Sequence, residues 1–313
     1  MVLQKCLIID PVHESLFPML HAIGWEVVYY PTISRQEIKE THQVFAGLIV
    51  RSKTTIDRDL LGDNPTLKFV GRAGAGLDNL DLDYLRNKKI NVLHAGEGNR
   101  DAVGEHAIGI LLALMRNIVV ADGQVRALTW KREENRGSEI MGKTIGIIGY
   151  GNMGQSFASR LSGFGCKVLA FDKYKTNFSD SYVEEVDMQR LYNEADILSL
   201  HVPLNTDTLK MVNKKYVKRF KNNILLINTS RGEIILQNDL IQLLDSGKIK
   251  GAALDVLENE KLNTLTTSEH ENMNKLVQYP NVIFTPHIAG WTFESHVKIN
   301  VALVEKIKLL KIT

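Results

Sequence analysis

The sequence predicts an α/β protein of two doubly wound domains, Rossmann-like or flavodoxin-like, with parallel sheets and a discontinuous substrate domain. Length points there first. A chain of 313 residues exceeds one comfortable core, since single cores stop growing near ~250–300 residues. Short apolar, β-branched runs then alternate with segments of helical period, the signature of βαβ units. Finally, the runs fall into two sets divided by one long helical stretch from about Ala102 to Leu128, where Ile108, Leu111, Leu112 and Met115 recur at helical spacing.

The first set reads LIID, EVVYY, GLIV, LKFVGRA and NVLHA. The second reads IGIIGYG, KVLAFD, DILSLHV, NILLINTS, GAALDV and NVIFTPH. Gly104, Ala107 and Gly109 dilute the stripe of the dividing helix, which therefore reads as packed on several sides and between subunits. The final segment, SHVKINVALVEKIKLL, has helical period and no new partner of its own, so it is expected to return to the N-terminal domain. The expected division is a substrate domain of residues 1–100 with 287–313 and a nucleotide domain of 101–286. Hinges are expected near Gly98 to Ala102 and near Pro280 to Pro286, closing a cleft that excludes water.

A composition of 44% hydrophobic and 24% charged residues is that of a globular protein. Lys plus Arg number 38 against 36 for Asp plus Glu, so no broad basic face advertises nucleic acid or an anionic membrane. Cys6 and Cys166 stand in neither metal nor redox spacing, which predicts no metal site, no disulfide and a reducing compartment. The chain runs straight into a strand without the regions of a signal peptide. Its longest apolar stretch, Ile108 to Met115, falls short of the ~20 residues a bilayer requires. A cytoplasmic protein is expected.

The strongest local signal is TIGIIGYGNMGQSFASRL, a strand, then Gly149, Gly151 and Gly154, then a helix. Such glycines serve a tight turn, close approach of a pyrophosphate and close helix–strand packing, while the helix N-terminus offers free N–H groups. The next strand ends in Asp172, about the ~20 residues on that a ribose-binding acid occupies. Accepting from both ribose hydroxyls and repelling a 2′-phosphate, Asp172 argues for NAD over NADP. Lys173 and Lys175 weaken that preference, and related folds also hold FAD or S-adenosylmethionine.

Three strand ends in the second half carry reactive groups: Arg231 in INTSRGE, Glu260 after ALDVLENE, and His287 in FTPHIAGW. Ligands of doubly wound sheets sit beyond the carboxyl ends of strands, so the three should converge. A guanidinium can hold a carboxylate and polarise a carbonyl. A histidine titrating near neutrality can carry a hydroxyl proton, with a carboxylate to orient it.

Through GYGNMG, HVPL, NTSRGE, GAALDVLENE and TPHIAG, in that order, the chain resembles the D-2-hydroxyacid dehydrogenase family over nearly its whole length. The resemblance implies that Arg231 binds and polarises substrate, His287 donates or accepts the proton, and Glu260 pairs with His287. It also implies NAD contacts from Asn152, Met153, His201, Val202, Pro203, Thr229 and Asp255, the last near the nicotinamide. LIVRSKTTID and FVGRAGAGLDNLD are similar to segments of D-3-phosphoglycerate dehydrogenases. Gly74, Ala75 and Gly76 would then present N–H groups to the substrate carboxylate, with Arg51, Ser52 and Arg72 beside it. By the same likeness, Arg132 would reach a neighbouring subunit's substrate phosphate.

These segments imply a homodimeric NAD-dependent enzyme oxidising 3-phosphoglycerate to 3-phosphohydroxypyruvate, the first step of serine biosynthesis. Reduction of glyoxylate, hydroxypyruvate or another 2-keto acid is the nearest alternative, and an NAD-sensing, co-repressor-like binding protein another. The chain departs from the family at Lys261, in place of the usual Pro, in a polar insertion over residues 261–278 that alters a loop beside the cleft, and at Trp291, which either caps the substrate pocket or packs the domain interface. No appended regulatory domain and no feedback by serine are expected.

Overall fold

The computed structural model describes residues 4–310. They fold as two compact units, 4–100 with 291–310 and 101–290. His287 thus lies in the second unit, whereas the expected boundary grouped it with the first.

In the first unit β1 (Gln4–Ile8), β2 (Trp25–Tyr29), β3 (Gly47–Val50), β4 (Phe69–Arg72) and β5 (Asn91–His94) form a parallel sheet of order β2-β1-β3-β4-β5. A parallel sheet is covered on both faces, so its strands read as continuous apolar runs; every residue of β3 is buried. One face receives the terminal helix Phe293–Leu309, which opens with a Thr292/Ser295 capping box. Its Ile299, Leu303, Val304 and Ile307 pack with Cys6, Ile8, Leu20, Ile49 and Phe69. Each such aliphatic side chain contributes roughly 1.5–3 kcal/mol by leaving water. Gly98 is forced by this packing, because a Cβ there would lie 2.4 Å from the Ile299 backbone nitrogen.

The second unit holds β6 (Thr144–Ile148), β7 (Lys167–Phe171), β8 (Glu184–Glu185), β9 (Ile197–Leu200), β10 (Ile224–Asn228), β11 (Ile249–Leu254) and β12 (Val282–Phe284). They form a parallel sheet of order β12-β11-β10-β9-β6-β7-β8. The chain starts at β6, moves out to β7 and β8, then returns to the other side for β9 onward. The reversal between β6 and β9 is the crevice where doubly wound sheets take ligands. Two apolar layers cover the faces, one around Leu226, Leu240 and Phe220, the other around Leu111, Ile147 and Phe157.

Three expectations are corrected. The dividing helix is two, Gly96–Met115 and Ile118–Arg126, bent by 64°. Asn117 sits between them at φ 53°, the left-handed position that Asn tolerates at a helix end. Residues 98–102, expected as a hinge, are inside the first of these helices, and Pro280–Pro286 contains β12. The polar insertion, expected as a loop, contains the helix Thr267–Leu276, started by a Thr266/Glu269 capping box and anchored by buried Leu276. Among the described residues, no single helix is long and apolar enough to cross a membrane.

Candidate active site

The glycine loop follows β6. Gly149 has φ 91°, and a Cβ there would lie 2.3 Å from the His201 carbonyl oxygen. A Cβ on Gly154 would lie 2.1 Å from the Gly149 carbonyl oxygen, so the helix Asn152–Arg160 docks on its strand only because both are glycine. Gly151 differs. Nothing lies within 4 Å of its missing Cβ, and it starts the helix with no side chain capping it. Open space against uncapped N–H groups is a cradle for phosphate. Asn152 and Met153 occupy the first positions of that helix.

Asp172, just after β7, accepts three backbone N–H bonds, from Tyr150 (2.7 Å), Tyr174 (2.8 Å) and Lys175 (3.0 Å). Burial would raise its pKa, but these bonds together with the Lys175 charge hold it below the ordinary carboxylate value. A carboxylate offers about four acceptor positions. The acid therefore braces the glycine loop and keeps acceptor capacity for a ribose. Lys175 adds a second brace, donating to the Tyr150 carbonyl at 3.1 Å.

At the ends of β9 and β10, two buried polar atoms have no hydrogen-bond partner among the described residues: Nδ1 of His201 and Oγ1 of Thr229. Val202 and Pro203 follow on the β9 loop. Burial pushes His201 down to about 4, so its imidazole is neutral at pH 7. Unpartnered buried groups on neighbouring strands at the crevice fit a ligand that supplies the missing bonds. With the phosphate cradle, they fit a dinucleotide.

Arg231 is aimed by the turn after β10. Asn228, fully buried, accepts the Ser230 N–H (3.0 Å) and donates to the Arg231 carbonyl (2.9 Å), and the Ser230 hydroxyl donates to Leu200 O (2.6 Å). Arg231 itself donates to Ser230 O at 2.6 Å. A Cβ on Gly232 would lie 1.9 Å from the Leu257 carbonyl, so this turn presses directly on the loop after β11 that carries Glu260.

His287 follows β12, with Nδ1 2.9–3.0 Å from the Glu260 carboxylate oxygens. Glu260 can only accept, so Nδ1 carries the proton and Nε2, which has no partner among the described residues, presents its lone pair. Both side chains are 45% exposed, open to a substrate. Asp255, expected beside the nicotinamide, is different. Its carboxylate has no exposed surface and receives Thr285 Oγ1, Ile288 N and Ala289 N. It holds the His287 loop from beneath instead of facing open space. Thr285 and His106, which bonds it at 3.0 Å, join this network; neither is legible as a site residue from the sequence, since His106 reads only as one polar position of a helix.

The arginines of the substrate reading lie apart from this group in sequence and in character. Arg51 stacks on Trp291, 4.3 Å from the ring centroid, and donates to Pro11 O (3.2 Å), while His296 meets the same ring edge-on at 4.6 Å. Trp291 is thus a packing plate for Arg51. Ser52 is exposed beside it. Arg72 lies across Gly74, where a Cβ would be 1.4 Å from its Nη1. The Gly74 N–H is spent on the Arg72 carbonyl at 2.8 Å, so of the three expected amides those of Ala75 and Gly76 are the ones without a backbone acceptor among the described residues. Arg132 is exposed and has no hydrogen-bond or ion-pair partner among the described residues.

Comparison with known proteins agrees with this geometry. Residues 108–289 match the family profile described as D-isomer specific 2-hydroxyacid dehydrogenase, NAD binding domain. The chain is 38% identical to a hydroxypyruvate reductase of Thermotoga maritima, over 83% of both chains. It is 34% identical to a D-3-phosphoglycerate dehydrogenase of Methanocaldococcus jannaschii, over 97% of this chain and 57% of that one. It thus spans little more than half of that dehydrogenase. A crystal structure of D-lactate dehydrogenase from Aquifex aeolicus, complexed with NAD and lactic acid, superposes with a TM-score of 0.83 at 27% identity, covering 97% of this chain and 94% of that one. A phosphate cradle at a strand-order reversal, a histidine–carboxylate pair two strands from an arginine, and these likenesses converge: the chain belongs to the D-isomer specific 2-hydroxyacid dehydrogenase family and is an NAD-dependent oxidoreductase.

Proposed function

We propose that the chain interconverts a D-2-hydroxy acid and its 2-keto acid, with His287, Glu260 and Arg231 as the working residues. The His287–Glu260 pair at 2.9 Å carries this reading. Bound NAD supplies the hydride acceptor for oxidation and, reduced, the donor for the reverse. In oxidation His287 takes the substrate hydroxyl proton on Nε2, and the Glu260 carboxylate stabilises the imidazolium that results. The Arg231 guanidinium holds the substrate carboxylate and the developing carbonyl oxygen through charge-assisted bonds.

The substrate we propose is 3-phosphoglycerate, oxidised to 3-phosphohydroxypyruvate at the entry to serine synthesis in the cytoplasm. Supporting this are the open donors of Arg132, the likeness to phosphoglycerate dehydrogenases over 97% of the chain, and the free thiols Cys6 and Cys166. Reduction of unphosphorylated hydroxypyruvate is the second reading. It is favoured by Arg51, whose face is spent on Trp291, and by a relative of similar length that bears that activity in its name.

NADH oxidation with 3-phosphohydroxypyruvate and with hydroxypyruvate separates the two. For a phosphorylated substrate, Arg132→Ala lowers kcat/KM by ~10–100-fold, the loss of a charge-assisted bond, and leaves hydroxypyruvate turnover alone. Equal turnover of the phosphorylated substrate by both proteins sinks the phosphoglycerate reading.

A further inference from the structure

We propose that His106 is a positioning residue for His287, acting through Thr285 and Asp255; this rests on reading His287 as the proton carrier. The backbone at His287 is left-handed, φ 54°, a conformation that costs a non-glycine residue free energy and persists only where its surroundings dictate it. Here two residues dictate it, Asp255 foremost, with the His287 N–H shared between the carbonyls of Asp255 and, at 3.0 Å, Thr285. Three successive amides converge on Asp255: His287 N on its carbonyl oxygen (2.7 Å), Ile288 N on Oδ1 (2.9 Å) and Ala289 N on Oδ2 (2.9 Å). The rotation of the Asp255 carboxylate therefore sets where the imidazole hangs.

That rotation is held in turn. A carboxylate accepting an N–H on each oxygen is an acceptor, so the Thr285 hydroxyl, 2.6 Å from Oδ1, donates to it. With its proton spent there, Thr285 Oγ1 can only accept from His106 Nε2 at 3.0 Å. This fixes the proton of His106 on Nε2 and gives a directed chain from Nε2–H of His106 through Oγ1–H of Thr285 to Oδ1 of Asp255. His106 Nε2 also lies 3.5 Å from that oxygen, so the imidazole stands close to the carboxylate as well as to the hydroxyl. His106 stands on the helix Gly96–Met115, whose Ala107, Ile110, Leu111 and Leu114 are in the core. The helix is thus a fixed reference against which the catalytic loop is registered, and chained hydrogen bonds of this kind strengthen one another in a buried setting.

Removing the His106 donor leaves Thr285 Oγ1 with an unmet acceptor, and the Asp255 carboxylate keeps its three bonds but loses the tie that registers it, through Thr285, on the helix Gly96–Met115. The loop around His287 then samples other arrangements, and the proton-transfer geometry is lost while the glycine loop on β6 is untouched. The expected signature is a fall in kcat with cofactor affinity unchanged.

The test uses the whole protein with NADH and its best 2-keto acid substrate. His106→Leu and Thr285→Val should each lower kcat ~10–100-fold, with the NADH dissociation constant, read by fluorescence, within about twofold. His106→Gln, which keeps an N–H donor, and Thr285→Ser, which keeps the hydroxyl, should recover most of the loss. The double variant His106→Leu/Thr285→Val should be no slower than the worse single one, since both break one chain. Wild-type kcat in His106→Leu, a glutamine variant as slow as the leucine one, or additive losses in the double variant overturns the proposal. Should the leucine variant fail to fold, Thr285→Val against Thr285→Ser reads the same chain, and equal kcat in that pair overturns it. His287→Ala is run alongside: turnover at the wild-type level there removes the reading of His287 itself, an outcome distinct from normal His106 variants beside an inactive His287→Ala.

Discussion

His287 carries its imidazole on a left-handed backbone, and the residues that hold it there are as informative as the residue itself. The sequence points to Arg231, Glu260 and His287 as candidates because each follows a strand and each side-chain type carries its own chemistry. It does not show which way Asp255 points, since an acid after a strand can face a ligand or its own loop with equal ease. His106 is hidden more deeply, its partner Thr285 being 179 residues away. His201 yields a prediction at this scale. Burial pushes its imidazole down to about 4, below the ~6.5 of an unfolded chain. Between these values the unfolded state binds a proton that the folded state refuses, so stability falls as pH drops from about 6.5 toward 4, at up to ~1.4 kcal/mol per pH unit, and this contribution levels off below. Urea unfolding at a series of pH values should show a shallower acid slope for His201→Gln than for wild type; parallel slopes count against it.

At the scale of elements, local chemistry decides what composition obscures. The stretch Thr266-Thr267-Ser268-Glu269 is polar enough to read as a loop, yet Thr266 Oγ1 accepts the Glu269 N–H at 3.3 Å and the Glu269 carboxylate accepts the Thr266 N–H at 2.7 Å. This capping box nucleates a helix whose only fully buried anchor is Leu276. With so little apolar support, the cap should matter. Thr266→Ala is expected to destabilise by about 1 kcal/mol, read as a lowered midpoint in denaturant with unchanged slope, while Thr267→Ala, one residue inside the helix, leaves the cap intact. The spacing of Thr266 and Glu269 was visible in the sequence, but hydrophobic periodicity, on which the strands and long helices are read, is absent there. The same blindness joins two helices across Asn117, where apolar residues continue on either side of a bend and only the Asn itself marks the break.

For the molecule as a whole, the alternation of apolar runs with helical segments suffices to predict two parallel sheets, because a parallel strand buried on both faces can scarcely be written otherwise. The two-residue strand β8 escapes that reading, being too short to carry a pattern. Ile118, Val119, Val125, Leu128 and Trp130 stand between 50% and 96% exposed on the second dividing helix and the segment after it. Such a run of large apolar side chains would suit a second copy of the chain, the homodimer that the resemblance implies. Sedimentation equilibrium should give a dimer for the wild type and a shift toward monomer for Val119→Asp/Leu128→Asp; a wild-type monomer at micromolar concentration defeats the assignment.

One feature of the larger sheet reaches beyond this chain's own substrate. Arg231, Asp255 and His287 leave the carboxyl ends of β10, β11 and β12, which are consecutive neighbours, and parallel strands are spaced by a nearly invariant ~4.8 Å. The sheet is in effect a ruler whose graduations are set by backbone hydrogen bonding and not by side-chain choice. It can measure only what all 2-hydroxy acids share, a carboxylate and the carbon next to it. Whatever distinguishes one such acid from another falls off the end of that scale, so substrate preference can drift by substitutions elsewhere while the distance between His287, the proposed proton carrier, and the Arg231 guanidinium stays as it was.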